Sequence, residues 1–461
     1  MKKLILLPVI SFFFILTYLH AKALNDLQGG NAGWKAGVAR VVITPQQSMW
    51  MAGYANRDHS SEGTLHDLWA KALVLEDAGG KRVVLVTADL LGIPKELSDH
   101  IRNQLESKYQ LSRAQVILNS SHTHSGPVLK GALLDMYPLD ALQGKKIEQY
   151  SIKLADQIVT LVGNALKALK PIQLYAQNGV TRFQVNRRNN NESTLLQQTE
   201  LKGPNDYAVP VLKVVDEAGK LMAVVFGYAC HNTVLNGYQW SGDYAGFAQL
   251  QLEKSYPGVT ALFFQGAGAD QNPLPRRSVA LAQQYGKTLA AAVERVLAED
   301  MRKLPARLST AYSEVKLSLT DPPSKEELLK KAETSSHYQK RWVTRQLKQI
   351  EQGEPFKTSY LYPVQVWRLG DQTMISLGGE LVVAYAIELK RIFGPDIFVL
   401  GYSNDVMAYI PSTTILKEGG YEGESSQMVY GLPSKWASTI EATIFQEIMR
   451  LAEQVGLQKV K

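Results

Sequence analysis

One cysteine, Cys230, is all that the 461 residues contain, so no disulfide can form within the chain. Stability has to come from core burial and from any bound metal, and a chain of this length can bury a large core. Runs of one charge sign are missing too. Lysine and arginine outnumber the acids 50 to 43, yet no four basic residues stand together. The sequence therefore carries neither the electrostatic footprint of a nucleic-acid partner nor that of a membrane surface. No repeat period, low-complexity tract or Pro/Gly/Ser linker appears, which predicts one continuous domain over residues 24–461. Long apolar runs are absent except at the start, where Lys2 and Lys3 precede the stretch Leu4 to Tyr18 and the triplet Ala21-Lys22-Ala23. This pattern predicts a secretory signal peptide over 1–23 and export to the periplasm or the extracellular space. Its apolar stretch falls short of the roughly 20 residues that span a bilayer, so no membrane span is expected after cleavage. Loss of Lys2, Lys3 and Lys22 lowers the formal net charge from +7 to +4.

β-Branched apolar runs alternate with amphipathic stretches, which predicts an α/β protein. The clearest unit is a strand at Val83–Thr87, a helix opened by Pro94 and reaching Tyr109, and a strand at Gln115–Asn119: a βαβ unit in outline. Its strands run into Thr87-Ala88-Asp89 and Asn119-Ser120-Ser121-His122, and the carboxyl ends of parallel strands are where α/β folds place ligand sites. Further strands are expected at 209–215, 222–228, 259–264, 364–369, 374–377 and 398–402. Helices are expected at 146–169, 280–298, 380–393 and 435–455, with a charged surface helix or helical pair at 325–352.

Candidate chemistry begins at His122-Thr123-His124, since residues i and i+2 of a strand share a face and bring two imidazoles together. A hydrogen-bonded pair in a turn is the competing reading, although the surrounding Asn119–Pro127 run suits the lip of a site. His231 stands at the end of another apolar strand. Cys230 before it faces the opposite way and reads as a small buried hydrophobe. Glu380 follows Gly378-Gly379, where it either complements a helix dipole or points into a site. Tyr409 and Tyr421 sit in or near glycine-rich loops, where packing is the plainer role.

Together these segments resemble the catalytic domain of the neutral, non-lysosomal ceramidase family, in the family's order, through Ala36–Pro45, Met51–Ala55, Ser121–Pro127, Asn186-Arg187, Ala229–Thr233, Ser241–Asp243, Gly378–Glu380 and Tyr409 with Tyr421. The resemblance implies mixed β-sheets layered between helices and a small-molecule or lipid acyl substrate. It implies Zn²⁺ held by His122, His231, Glu380 and Tyr409, with His124, Arg187 and Tyr421 as catalytic groups. Two imidazoles, a carboxylate and a phenolate form an N/O set acceptable to zinc, and a catalytic zinc site keeps one position open for water. Where the family has Gly-Asp-x-Ser-Pro, this chain reads Ala269-Asp270-Gln271-Asn272-Pro273. An amide cannot accept an acyl group, so with Asn272 in that place a serine acyl-enzyme is excluded, and water attacks or the site is inactive. The chain ends soon after the helix near Val455, which predicts that the β-rich C-terminal domain of longer members is lacking.

The expected activity is thus zinc-dependent hydrolysis of an amide, with Asn272 donating to the substrate carbonyl. The alternatives are an esterase, lactonase or deacylase using the same metal, or a binding protein that keeps the metal without turnover. His66 and Asp89 are candidates for hydrogen bonds to the ligand imidazoles, the plainer reading being that they stand outside the site. Asp243 and Asp270 read equally as wall residues and as turn formers. No Gly-x-Ser-x-Gly elbow supports a serine hydrolase.

Overall fold

The computed structural model describes residues 33–460, so the predicted signal peptide at 1–23 lies outside the described residues. Period-two alternation fixes the architecture. In the strand Arg82–Ala88, Val84 and Val86 point into one apolar cluster while Val83 and Leu85 point into another. In Leu221–Tyr228, Val224 and Phe226 face helices, whereas Ala223 and Val225 face the second cluster. A strand buried on both faces needs cover on both, and a layered sandwich supplies it.

The larger sheet has nine strands. Eight follow one path: β1 (Trp34–Val42), β2 (Trp69–Glu76), β3 (Arg82–Ala88), β4 (Val116–Ser120), β5 (Lys170–Val180), β6 (Ala208–Asp216), β7 (Leu221–Tyr228) and β8 (Thr260–Gln265), in the spatial order β8-β7-β6-β5-β1-β2-β3-β4. The pairs β3/β4 and β7/β8 are parallel, and the others on the path are antiparallel. The second sheet orders β9 (Leu308–Ser318), β10 (Ser359–Leu369), β11 (Gln372–Leu377) and β12 (Phe398–Leu400), with β11/β12 parallel. Leu73, Leu85, Val225 and Phe264 of the first sheet pack against Trp367, Met374 and Phe398 of the second. Helices α1 (Lys95–Tyr109), α2 (Ala141–Lys167), α3 (Asp243–Ser255) and α4 (Val279–Ala298) cover the outer face of the large sheet. Two further helices, α5 (Lys325–Thr334) and α6 (His337–Glu351), form a small cluster of their own. The outer face of the small sheet is covered by α7 (Val383–Phe393) and α8 (Ile440–Gln454). The result is the expected helix–sheet–sheet–helix arrangement. Among the described residues no helix is long and apolar enough to cross a membrane.

The predicted βαβ unit is present as β3-α1-β4. Four long strands escaped the sequence reading: β1, β2, β5 and β9. In β5 and β9 the outward positions are polar and half-exposed, which breaks the apolar signature on which the reading relied. Of the two readings for 325–352, the helical pair is the one present, divided where Ser335 and Ser336 take extended backbone. The expected helix at 380–393 begins only at Val383, because Glu380-Leu381 pairs as a short parallel strand with Tyr409-Ile410. Glu380 is therefore no helix cap.

One buried side chain ties the two sheets at the end where the candidate residues lie. Asn119, near the carboxyl end of β4, accepts from Gln265 N at 2.8 Å, and so joins the two edge strands of the large sheet. Its amide donates to Gly401 O at 2.8 Å and Ser403 Oγ at 3.0 Å, just beyond β12. Replacing Asn119 by alanine strands these buried partners, and each unsatisfied group costs about 1–3 kcal/mol. The expected outcome for Asn119→Ala is a lower denaturant midpoint with an unchanged m-value, corresponding to a loss of about 2–4 kcal/mol.

Candidate metal centre and active site

The strand ends of both sheets deliver the site. His122 follows β4, His231 follows β7, and Glu380 and Tyr409 form the short pair beyond β11 and β12. His122 and His124 do converge, but not by strand alternation. β4 ends at Ser120, and His122 itself adopts a left-handed conformation at φ +59° that turns the chain. Thr123 then bridges Asn232, which sets the two histidine loops side by side. Gly53, at φ +108°, lies so close that a Cβ there would sit 2.5 Å from the His124 ring, so only glycine fits.

Backbone carbonyls fix the tautomers. His122 Nδ1 donates to Leu91 O at 2.7 Å, and His231 Nδ1 donates to Gly268 O at 2.8 Å. Carbonyls only accept, so both Nε2 atoms carry lone pairs. These lone pairs face the Glu380 carboxylate, whose Oε2 lies 3.1 Å from His122 Nε2 and 3.3 Å from His231 Nε2. Tyr430 donates to the other oxygen, Oε1, which aims Oε2 at the imidazoles. Glu380 Oε2 is buried with no hydrogen-bond donor. Tyr409 Oη stands 3.5 Å from His231 Nε2, and His124 Nε2 stands 3.1 Å from His122 Nε2.

Burial lowers the pKa of His231 to about 4, helped by the Arg187 charge. Burial likewise holds His124 well below the usual imidazole range, with His122 and His231 adding to the effect. Burial pushes the Glu380 carboxyl up, whereas positive charge or a proton at the His122 and His231 nitrogens outweighs it and holds the group well below the usual carboxylate range. Neutral imidazole nitrogens and an anionic oxygen meeting without a proton between them repel one another unless a cation sits among them. Ligands about 2.0–2.1 Å from a tetrahedral zinc lie about 3.3 Å apart, the spacing found here. The donor set fits such an ion. His122, His124 and His231 alone also form a cluster able to hold a metal.

Around this centre the other expected residues come together. Arg187 follows the short strand Gln184–Asn186, which pairs antiparallel with Gln271–Pro273 and so places Arg187 beside Asn272. Arg187 donates to Glu422 Oε1 at 2.7 Å and to Tyr409 Oη at 3.1 Å, with Asn272 Oδ1 at 3.5 Å. Burial works against the guanidinium charge, yet Tyr409 and Glu422 more than offset it and raise the pKa well above its ordinary value. Tyr421 packs edge-on against Tyr409 at 5.3 Å and remains 42% exposed at the rim. His124, Arg187, Asn272, Tyr409 and Tyr421 line one open cleft of about 850 Å³.

His66 and Asp89 are corrected, and the remaining candidates find their places. His66 faces Ser241 Oγ at 3.0 Å, and Asp89 accepts from Trp69 N at 3.0 Å, so neither bonds an imidazole of the cluster. Asp243, at φ +54°, accepts from Leu235 N and Tyr244 N and is a turn former. Asp270 accepts from Val383 N at 2.9 Å and Asn186 Nδ2 at 3.2 Å, which locks the wall behind Arg187. Cys230 is buried, and burial pushes its thiol well up, which suits an inert side chain. Sequence reasoning missed Glu422 and Tyr430. Glu422 adjoins Tyr421 and its charge was legible as a partner for Arg187; nothing local marks Tyr430.

The family model described as neutral/alkaline non-lysosomal ceramidase, N-terminal, matches residues 34–291. A neutral ceramidase of Pseudomonas aeruginosa is 28% identical over 256 residues, which cover 52% of this chain and 37% of that protein. Neutral ceramidase B of Dictyostelium discoideum is 25% identical over 274 residues, covering 55% of this chain and 37% of its own length. The match thus spans well under half the length of these relatives. The crystal structure of the Pseudomonas aeruginosa neutral ceramidase superposes with a TM-score of 0.73 at 20% identity, over 93% of this chain and 76% of that one.

A cation that binds only the folded centre stabilises it by about 2.7 kcal/mol at a hundredfold excess over its Kd. Chelation should therefore lower the Tm of the purified protein and added zinc restore it, while His122→Ala and His231→Ala should not respond. Comparing Tyr409→Phe with His124→Ala in the same melting assay decides which of the two flanking groups completes the ligand set: only loss of a ligand weakens the zinc response.

Proposed function

Because the chain belongs to the neutral/alkaline non-lysosomal ceramidase family, we propose that it is an exported hydrolase of amide bonds that uses one Zn²⁺ held by His122, His231, Glu380 and Tyr409. The observation that carries this reading is the convergence of two imidazole lone pairs on a carboxylate oxygen that has no donor. When bound, the ion would supply Lewis acidity, which polarises a carbonyl and acidifies water.

The chain's own groups divide the remaining work. His124 is kept neutral by burial, so a ring nitrogen is free to take a proton from attacking water and return it to the leaving amine. Arg187 has three of its five N–H groups engaged with Glu422, Tyr409 and Asn272. The remaining two are available to a developing oxyanion, and the Tyr421 hydroxyl lies on the same wall. A well-placed donor of this kind is worth about 2.7–4 kcal/mol in the transition state. Asn272 turns its amide oxygen toward Arg187, which leaves the N–H₂ to hold the substrate carbonyl. With an amide in place of a serine, acyl transfer passes directly to water, and no covalent acyl-enzyme forms.

Export is supported by the basic, apolar and small-residue pattern of Lys2 to Ala23. N-acylsphingosine is the substrate that the family name suggests, and the same centre also suits other amides and esters. The specific observation behind a second reading, a metal-retaining binding protein, is Asn272 itself.

The test is hydrolysis of short-chain N-acylsphingosine and simpler N-acyl amides, followed by amine release. Turnover should vanish with chelator, return with zinc, and show no pre-steady-state burst. Arg187→Ala should lower kcat by about 10²–10³, the scale of one lost oxyanion donor. Zinc-replete protein that turns over none of these compounds would sink the reading and leave the binding protein in its place.

A further inference from the structure

The cleft beside the metal centre is basic where a lipid site needs to be apolar. Four arginines line it, Arg187, Arg188, Arg276 and Arg277, against two carboxylates, Glu192 and Glu422. Among the described residues Leu274 is the one aliphatic side chain on its wall, beside the polar-tipped rings of Tyr54, Tyr409 and Tyr421. Sites for alkyl chains are lined predominantly by hydrophobic and aromatic groups.

Three of the four guanidiniums are already neutralised. Arg187 and Arg188 share Glu422 at 2.7 Å each, and Arg188 also meets Glu418 at 2.8 Å. Arg276 meets Glu192 at 2.6 Å. Arg277 differs: among the described residues no carboxylate lies within ion-pair distance of it. Its Nη1 donates to Tyr54 Oη at 2.9 Å, with Thr233 O at 3.5 Å. Its backbone is held at φ +87° by a bond from its N–H to Val234 O at 2.7 Å. A non-glycine residue kept in that region is strained, and such strain gathers at ligand-binding positions.

Tyr54 connects this cation to the chemistry. Its ring lies 5.2 Å from the Arg277 guanidinium and 4.8 Å from the His124 ring. A single aromatic side chain thus separates the free guanidinium from the group assigned to proton transfer. The planar fork of an arginine suits bidentate capture of an oxyanion.

We propose that the substrate is an acyl compound bearing an oxyanion close to the scissile bond, held by Arg277, which Tyr54 positions, and that N-acyl amino acids are the class it fits best. The inference rests on the hydrolase reading for the identity of the scissile bond, but the anion site is testable without turnover. Binding of 4-oxononanoate, the non-hydrolysable ketomethylene analogue of N-hexanoylglycine, is measured by calorimetry on the zinc-loaded protein against the neutral 4-oxononanamide. The acid should bind about tenfold or more tightly than the amide, with the difference shrinking as salt rises. Arg277→Gln should abolish the preference and Arg277→Lys retain part of it; Arg277 is exposed, and unchanged melting curves will show that both variants are folded. Equal binding of acid and amide by wild type, or a preference that survives Arg277→Gln, overturns the proposal.

Parallel turnover assays use N-hexanoylglycine, N-hexanoylethanolamine phosphate, N-hexanoylglycinamide and N-hexanoylsphingosine. Faster turnover of the first or second identifies carboxylate or phosphate as the oxyanion. Turnover of the neutral pair alone overturns the anion site and leaves the hydrolase standing. Preferential binding of the acid without any turnover supports the anion site while the hydrolase reading falls.

Discussion

Two imidazoles in this protein have no freedom over which nitrogen they offer. His122 and His231 each spend Nδ1 on a loop carbonyl, from Leu91 and Gly268, so each Nε2 must present a lone pair to the interior. Glu380 is constrained in the same way, because Tyr430 occupies Oε1 and leaves Oε2 facing them. A buried acceptor without a donor is expensive, and Glu380 Oε2 is one, facing two imidazole lone pairs. Much of the irregular backbone nearby is explained by that convergence. His122 turns through a left-handed conformation, and Gly379, at φ +68°, lets the chain reach Glu380 where a Cβ would meet Ile410 at 2.6 Å.

The surrounding charges are arranged to keep this centre in one state. Arg187 is half-buried beside Tyr409 and would oppose a cation in the site were it alone. Glu422 neutralises it at 2.7 Å, and Asp270 fixes the strand that carries it through Asn186. Removing Glu422 would leave the half-buried Arg187 guanidinium without an acidic partner, whereas Arg188 would still find Glu418. The pairing therefore positions Arg187 as much as it balances charge. It also explains why Asn272 is tolerated next to the guanidinium, since an amide oxygen accepts from Arg187 without adding charge.

The sequence disclosed the parts of this design that rest on local pattern. The β3-α1-β4 unit was legible because Val83–Val86 and Val116–Leu118 are apolar on both faces, as central strands must be. The site residues were legible as family blocks, and their assembly follows from strand ends that the pattern located. What was not legible depends on contacts distant in sequence. β5 and β9 expose one face and look polar, and α3 has a weak apolar stripe because it is buried nearly all round its first turns. His66 and Asp89 were plausible partners for the imidazoles by residue type. The actual partners are backbone carbonyls of loops, which leave no mark on a sequence because every residue has one. The capping role considered for Glu380 failed because a two-residue parallel pairing with Tyr409-Ile410 has no sequence signature of its own.

Floor and wall of the cleft are built differently, and that difference bears on specificity. The floor is made from strand termini of both sheets, locked by the Asn119 network and by carbonyl-bonded imidazoles, so its geometry has little slack. The wall is made from the segments around Arg187–Glu192 and Leu274–Arg277, whose side chains reach one another through ion pairs across the opening. On the proposed hydrolase reading, such a floor would act on a carbonyl whatever is attached to it. Selection would then fall to the wall, where four arginines stand among three tyrosines and Leu274. A hydrocarbon tail laid against Arg188 and Arg276 would meet guanidiniums already committed to Glu422, Glu418 and Glu192 and gain little apolar contact. An oxyanion laid against Arg277 gains a partner that the fold has not provided.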